Sequence, residues 1–520
     1  MRRLFLAICL SYSFLGFSQI KKDSIALKYA NTITASDLSR HLHVLASDSL
    51  EGRETGKKGQ KLAAKYLKDQ FIKLGLEPGN GNSYFQEFNL IQREWDEVSL
   101  KVGKKNKIFL TDFYGYGDLK VPQEEKVEAV FAGYGINASR YSDYKNLDVK
   151  GKTVIIMNGE PVRDGKSLVT GSSALSEWAN DWRKKASEAR KLGARHVFFI
   201  VGNTDTEFES RLNQLKHHLQ QPFLGFDHKQ RAGSAFFVSG SLAAEMLKTS
   251  RKELYEQKNK IAELGESYKS PFSSAKIKLK AKLKEKTINT ENVLAVIPGT
   301  DKKDEVIVLT AHYDHLGIED GKIFYGADDD GSGTAALIEI AEAFAMARKQ
   351  GFAPRRTILI MPVTAEEKGL MGSEYYTDYP VFPLKNTVAN LNVDMIGRLD
   401  EAHEDNENYV YIIGSNRLSS QLHEVSENVN KTYTGLELDY RFNSTDDPNR
   451  FYYRSDHYNF AKNRIPVIFY FSGVHKDYHQ PTDTVDKILF NKASKITQLI
   501  FLTAWELANR EERIVVDVTE

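Results

Sequence analysis

A chain of 520 residues exceeds the size at which a single hydrophobic core keeps growing, so at least two domains are expected. With 41% hydrophobic and 27% charged residues, the composition is that of an ordinary soluble globular protein. The formal net charge of +1 gives no basis for binding nucleic acid or a membrane surface.

The first residues, "MRRLFLAICLSYSFLGFSQ", carry two arginines, a short apolar stretch and then Gly16-Phe17-Ser18 as a small-x-small site. That layout predicts a cleavable signal peptide over 1–18, and its apolar part is too short to span a membrane. Secretion, to the periplasm or the cell exterior, is favoured over a lipid anchor at Cys9, because bulky Ile8 precedes it and the apolar run continues beyond it. Cys9 is the sole cysteine and leaves with the signal, so the mature protein has no disulfide and no thiolate ligand. Any metal site must therefore be built from His, Asp and Glu. No other segment is apolar enough to cross a bilayer.

Segment 19–126 opens with two predicted helices around a polar loop. Ser36 is the expected N-cap, Ala63, Ala64, Leu67, Phe71 and Leu74 form an apolar face, and Gly75 is the stop. Over 127–250 the runs "VEAVFAGYG", "GKTVIIMNG", "ARHVFFIVG" and "GSAFFVSG" read as short strands ending in glycine, with one polar helix among them. This predicts a smaller α/β insert with its own core. The segment "SAKIKLKAKLKEK" (274–286) alternates lysine with apolar residues, which predicts an exposed or edge strand rather than a nucleic-acid patch.

Segment 251–520 alternates apolar runs with helical patterns. The runs are 293–297, 306–311, 357–363, 388–393 and 467–471, and "SGTAALIEIAEAFAMARKQG" is a helix with Gly351 as its stop. Uniformly apolar strands separated by helices predict an α/β fold with a parallel-centred mixed sheet sandwiched by helices. Pro362 interrupts this pattern, and a bulge or irregular end is expected there.

The polar residues of this segment fall at the strand ends. His312, Asp314 and His315 follow 306–311; Asp328, Asp329 and Asp330 precede the helix; Glu366 and Glu367 follow 357–363; Asp394 follows 388–393; Tyr478 and His479 follow 467–471. In a parallel sheet such ends share one edge, where ligand crevices form. Imidazoles and carboxylates without thiolate suit one or two divalent ions, zinc above all, with manganese or cobalt as alternatives. Adjacent side chains on extended backbone point apart, so one of Glu366 and Glu367 is expected to bind metal and the other to act as a base towards water.

The motifs "AHYDHLG", "GADDDGSG", "TAEEKGLMGS", "NVDMIGR" and "YHQPTDT" together resemble the M28 zinc metallopeptidases, aminopeptidase type, in that family's order. "ASDSLEGRETGKKGQKLAAKYL" resembles the N-terminal part of larger members. The insert, with "VFAGYGI" and "LDVKGKTVIIMNGEP", resembles a protease-associated (PA) domain. The resemblance implies a zinc-exopeptidase fold and two zinc ions, with Asp329 bridging, His312 and Asp394 on one ion, and Glu367 and His479 on the other. It implies Glu366 as general base, Asp314 orienting His312, and a cis peptide between Asp329 and Asp330. Tyr478 is a candidate donor to the reaction intermediate. His315 is expected to be a polar neighbour, and Asp328 and Asp330 turn and helix-cap residues. His457, in "RSDHYNF", is a candidate either to line the pocket or to support it. His403, His423 and His475 are expected at the surface.

The expectation is thus a secreted dinuclear zinc exopeptidase acting on peptides with a free N-terminus. The alternatives are a carboxypeptidase on the same scaffold, with Arg398 or Arg454 receiving the terminal carboxylate, a one-metal glutaminyl-cyclase type, and a non-catalytic peptide-binding receptor.

Overall fold

The computed structural model describes residues 21–227, 234–265 and 272–518, so the predicted signal peptide lies outside the described residues. The chain divides into two compact units. One is formed by the segments up to Phe88 and from Asn289 onward, the other by Asn89–Ile288. The second unit is wider than the 127–250 insert read from the sequence. The added segments, 89–126 and 251–288, hold most of two long strands, Phe85–Val102 and Ile277–Val293, whose charged, alternating sequences lack the glycine-ended signature of the other insert strands, together with the strands Phe113–Tyr116 and Val121–Val127 and the helix Arg251–Leu264.

The first unit is built on an eight-stranded sheet. In chain order its strands are β1 (Glu77–Pro78), β2 (Ala295–Ile297), β3 (Lys302–His312), β4 (Arg356–Val363), β5 (Thr387–Val393), β6 (Tyr409–Ile413), β7 (Glu437–Asp439) and β8 (Val467–Phe471). They lie in the spatial order β1-β2-β4-β3-β5-β8-β6-β7. The pairings β4–β3, β3–β5 and β5–β8 at the centre are parallel, while β1–β2, β2–β4 and β8–β6 are antiparallel. The parallel-centred mixed sheet expected from the apolar runs is therefore present. Side chains alternate as a pleated strand requires. Ile307, Leu309 and Ala311 of β3 join one buried cluster, and Val306 and Val308 join the cluster on the other face.

Helices α1 (Lys58–Leu74), α2 (Gly333–Lys349) and α3 (Phe490–Asn509) pack into the cluster with Ile307 and Leu309. α1 ends at Gly75 in left-handed backbone (φ 75°), as expected. After α2, Gly351 is left-handed and the Phe352 amide donates back to Ala347 O at 2.9 Å. The helix Ala35–Leu45 is capped by Thr34, whose hydroxyl accepts from the Asp37 amide at 3.2 Å; the expected cap, Ser36, is already inside the helix.

Pro362 sits in regular β4, paired with Ala311, without the expected bulge. The Val363 carbonyl accepts from Tyr313 N on the β3 side, so the Pro362 backbone faces the other way, where the β2 pairing has already ended at Ile360. The missing N–H has no ladder partner to lose.

The second unit contains a five-stranded sheet in the order Phe113–Tyr116, Ala235–Val238, His196–Ile200, Thr153–Met157, Ala129–Phe131. The four glycine-ended runs form its parallel part, and Phe113–Tyr116 adds antiparallel to Ala235–Val238. Four helices are described here rather than the single expected one: Trp182–Lys191, Asp205–Gln220, Gly240–Met246 and Arg251–Leu264. The lysine-rich segment forms a strand, but not an edge. Ile277–Val293 lies between Phe85–Val102 and Val121–Val127. Its lysines pair with acids of those neighbours: Lys278 with Glu124 at 2.6 Å, Lys280 with Glu97 at 2.6 Å and Lys282 with Asp96 at 2.8 Å. Cross-strand charge pairing, not edge protection, accounts for the alternation.

Two buried charges mark the core of this unit. Asp143 accepts from the amides of Tyr134 (3.2 Å) and Ile136 (2.9 Å) and from the Tyr141 hydroxyl (2.5 Å), and burial pushes its carboxyl up to about 6. Lys185 donates to Gly159 O at 2.5 Å, and burial lowers its ammonium from 10.5 to about 8. Between pH 8 and 10.5 the unfolded chain holds the Lys185 proton that the folded chain has released, so stability rises with pH across that window. The expected gain, on the order of 3 kcal/mol at most, disappears in Lys185→Met. Urea unfolding followed through Trp178 and Trp182 fluorescence at pH 7.5 to 10 reads it.

Candidate metal centre

The carboxyl ends of β3, β4, β5 and β8 bring the predicted residues to one place in the first unit. His312 closes β3, Glu366 and Glu367 follow β4, Asp394 follows β5, and Tyr478 and His479 follow β8. Asp328–Asp330 precede α2, and the Asp329–Asp330 peptide is cis. Ala365, Met395 and His479 all take left-handed backbone (φ 57°, 58° and 54°), a conformation non-glycine residues hold only where the surroundings impose it. The turn at Ala365 means that Glu366 and Glu367 are not on extended backbone, as the sequence reading supposed. They nonetheless reach different partners.

Asp329 is at the centre. Its Oδ1 lies 3.2 Å from His312 Nε2, and its Oδ2 lies 3.2 Å from His479 Nε2. Asp394 Oδ1 is 3.6 Å from His312 Nε2, and Glu367 Oε2 is 3.2 Å from His479 Nε2. Two imidazoles, each with its own carboxylate, thus share a third carboxylate between them. Glu366 Oε2 stands 3.9 Å from His312 Nε2 and lines the same cleft. His315 is fully buried and lies 2.8 Å from Glu367 Oε1.

The His312 tautomer follows from its neighbour. Nδ1 lies 3.1 Å from the Asp314 carbonyl oxygen, which can only accept, so Nδ1 carries a proton and Nε2 is the nitrogen that would offer its lone pair to a cation in the cleft. Asp314 does orient this ring, but through its backbone. Its carboxylate is 3.9 Å from Nδ1 and accepts instead from Thr55 Oγ1 (2.8 Å) and the Glu366 amide (3.2 Å). Asp330 accepts from the amides of His312 (3.1 Å), Gly333 (2.9 Å) and Met395 (3.2 Å), and so ties the first residue of α2 to the ends of β3 and β5.

The electrostatics call for a cation. Burial alone would lower His312, yet Glu366, Asp394 and Asp329 hold it well above its ordinary value. His479 is only half-buried, and Asp329 and Glu367 raise it to about 10 against the effect of that burial. Burial opposes ionisation of Glu367, but His315 and His479 hold it at about 2. Glu366 is pushed well above the usual carboxylate range by burial, and further by Glu367, Asp456 and Asp394 against the pull of His312. Asp329 Oδ2 and Glu367 Oε1 are buried and face imidazole nitrogens, those of His479 at 3.2 Å and His315 at 2.8 Å. Lone pairs from two imidazoles, one shared carboxylate and two flanking carboxylates are the donor set of a site for divalent cations; His312, Asp329 and Glu367 in particular offer ligand atoms within 4.8 Å of one another.

Comparison with known proteins agrees with this chemistry. Residues 292–504, which carry all of these groups, match the model of peptidase family M28. This segment is a peptidase family M28 domain. The chain is 26% identical to an aminopeptidase of Bacillus subtilis over 46% of its own length and 49% of that protein. It is 30% identical to a probable leucine aminopeptidase of Arthroderma otae over 42% of its length and 57% of the relative. It is also 41% identical to a probable glutamate carboxypeptidase of Arabidopsis thaliana over 22% of its length and 15% of the relative. The chain thus matches less than two thirds of the length of each of these relatives. Among solved structures, an aminopeptidase from Aneurinibacillus sp. strain AM-1 shares the fold, with a TM-score of 0.54 at 19% identity over 95% of this chain and 98% of that one.

Several supports of the M28 domain's site escaped the sequence reading. Arg53 is wholly buried and donates to four carbonyls: Tyr313 O (2.8 Å), Leu45 O (2.7 Å), Tyr325 O (2.7 Å) and Gly326 O (2.8 Å). It ties the N-terminal segment to the tyrosine of "YDH" and to the start of "GADDDG". Ser455 donates to Asp394 Oδ2 at 2.7 Å and accepts from Asn392 Nδ2 at 2.8 Å. Asp483 accepts from the amides of Asp328 (3.0 Å) and Asp329 (3.2 Å). A signal for Arg53 existed in "LEGRETG", but nothing in the sequence showed that its charge points inward.

Two histidines expected at the surface are buried. His475 lies 3.3 Å from Asp328, and His403 stacks on Tyr409 with ring centroids 3.6 Å apart and bonds Asp400 at 3.0 Å. His423 is half-buried beside Ser415. His457 does not line the cleft. It stacks on Phe469 at 4.7 Å, and burial lowers it to about 3, so it is a neutral packing residue.

Proposed function

We propose that this chain is a dinuclear zinc exopeptidase that removes N-terminal residues from peptides. The observation that carries this reading is the Asp329 carboxylate, one oxygen 3.2 Å from His312 and the other 3.2 Å from His479, each imidazole having a further carboxylate of its own. His312, Asp329 and Asp394 would hold one ion, and Asp329, Glu367 and His479 the other. Bound zinc would polarise the peptide carbonyl and lower the pKa of a water molecule.

Glu366 is the base. Its environment favours taking up a proton, and it stands inside the cleft beside the shared carboxylate. It accepts a proton as the water oxygen bonds to the carbonyl carbon, and returns it to the departing amine as the C–N bond breaks. Tyr478, kept protonated by burial and by the carboxylates of Asp329, Glu367 and Glu366, lines the cleft as a neutral donor for the developing oxyanion. The names of the bacterial and fungal relatives support aminopeptidase action, and the layout of residues 1–18 supports export to the periplasm or beyond. Among the described residues no helix is long and apolar enough to cross a membrane. The second unit is read as a PA-like insert on the strength of its sequence motifs.

Metal analysis with turnover of leucyl, lysyl and alanyl reporters tests the reading. Two equivalents of zinc, and activity lost on chelation and restored by zinc, are expected. Full activity in metal-free protein refutes it.

A further inference from the structure

The sequence offered two arginines as carboxylate receptors, and the structure separates them. Arg398 is committed: its guanidinium is 2.9 Å from Asp477 and 4.0 Å from Asp483. Arg454 is exposed, and among the described residues no carboxylate stands within ion-pair distance of it. Yet it lines the cleft that holds His312, Asp329, Glu366, Asp394 and His479.

Its position is fixed from both sides. The guanidinium lies 4.7 Å over the ring of Phe451, and the Arg454 amide donates to Phe451 O at 3.0 Å. The next residue, Ser455, is bonded to Asp394 at 2.7 Å, so the backbone of Arg454 is one step from a proposed zinc ligand. The neighbouring walls are Phe451, Phe469, Phe471 and Val474, which offer no anion. A pre-oriented guanidinium at an apolar rim, left without a partner beside a reaction centre, has the chemistry of a carboxylate receptor.

Resting on the exopeptidase reading above, we propose that Arg454 receives a substrate carboxylate, so that preferred substrates carry a free carboxylate close to the scissile bond. Two sources share this chemistry: the terminal carboxylate of a dipeptide, and the acidic side chain of an N-terminal glutamate.

Two substrate pairs separate them. Leu-Ala is compared with Leu-Ala-amide, and a glutamyl anilide with the glutaminyl anilide. In the native protein kcat/KM favours the carboxylate member of one pair by about ten-fold or more. Arg454→Met, which keeps the apolar stem over Phe451, brings that ratio close to unity, and Arg454→Lys retains part of it. Preference within the first pair assigns the receptor to the peptide terminus, and within the second to the side chain. A native protein without preference in either pair, or a preference that persists in Arg454→Met, overturns the proposal. Should none of the four be hydrolysed, the peptidase reading fails, and calorimetric binding of Leu-Ala and its amide to native and Arg454→Met protein decides the receptor question independently: equal loss of both ligands refutes it.

Discussion

Glu366→Gln is expected to lower kcat by about 10²–10⁴-fold while the protein keeps its zinc. The two adjacent glutamates divide the work by position. Glu367 Oε2 is 3.2 Å from His479 Nε2 and sits at about 2, the behaviour of a permanently ionised ligand. Glu366 is held well above the usual carboxylate range by burial and its acidic neighbours, the behaviour of a group that takes up protons. Glutamine keeps the shape of Glu366 and removes its basicity. Glu367→Gln is expected to fail differently, releasing zinc as well as activity. Steady-state kinetics with zinc quantified by atomic emission distinguishes the two. Normal kcat in Glu366→Gln removes it as the base, and zinc loss in that variant moves it into the ligand set.

Arg53→Met is expected to cost roughly 3–5 kcal/mol of stability, because it leaves four carbonyls, three of them in buried bonds, without their donor. The effect falls on the site as well, since two of those carbonyls belong to Tyr313 and Gly326, beside the His312 and Asp329 motifs. Gly326 shows how tightly that loop is held: it is left-handed (φ 53°), and a Cβ there would lie 2.5 Å from His315 Cγ. Urea unfolding measures the stability loss, and a zinc competition titration is expected to show weaker binding. Lys65→Met, which removes an exposed pair with Asp69, serves as control and is expected to change stability by less than about 0.5 kcal/mol. A variant of Arg53 as stable as the control contradicts the bracing role.

What was legible in the sequence was whatever announces itself through short-range pattern. The runs 306–311, 357–363, 388–393 and 467–471 are apolar because both faces of their strands are covered, and the polar clusters at their ends converge because parallel strands share an edge. Interactions reached across the fold were not legible. Whether a lysine strand lies at an edge depends on the acids of Phe85–Val102 and Val121–Val127, far away in sequence. Whether His475 is buried depends on Asp328, far upstream, accepting it there. The premise of extended backbone at Glu366 failed on the turn at Ala365, a position whose alanine gives no hint of left-handed geometry. Ser455 was visible only as part of "RSDHYNF", two residues before its histidine, and nothing local shows that its hydroxyl reaches Asp394.

The discontinuity of the first unit also dictates an order of assembly. Its opening segment, through Phe88, emerges from the ribosome some 200 residues before Asn289 resumes the same unit. Arg53 meets Leu45 O early, but Gly326 O lies 273 positions downstream. During synthesis the Asn89–Ile288 unit can complete its own core first, while the leading helices wait with an arginine three of whose four acceptors have not yet been made. The final stretch of translation, not the beginning, closes the unit that holds the histidine and carboxylate cluster.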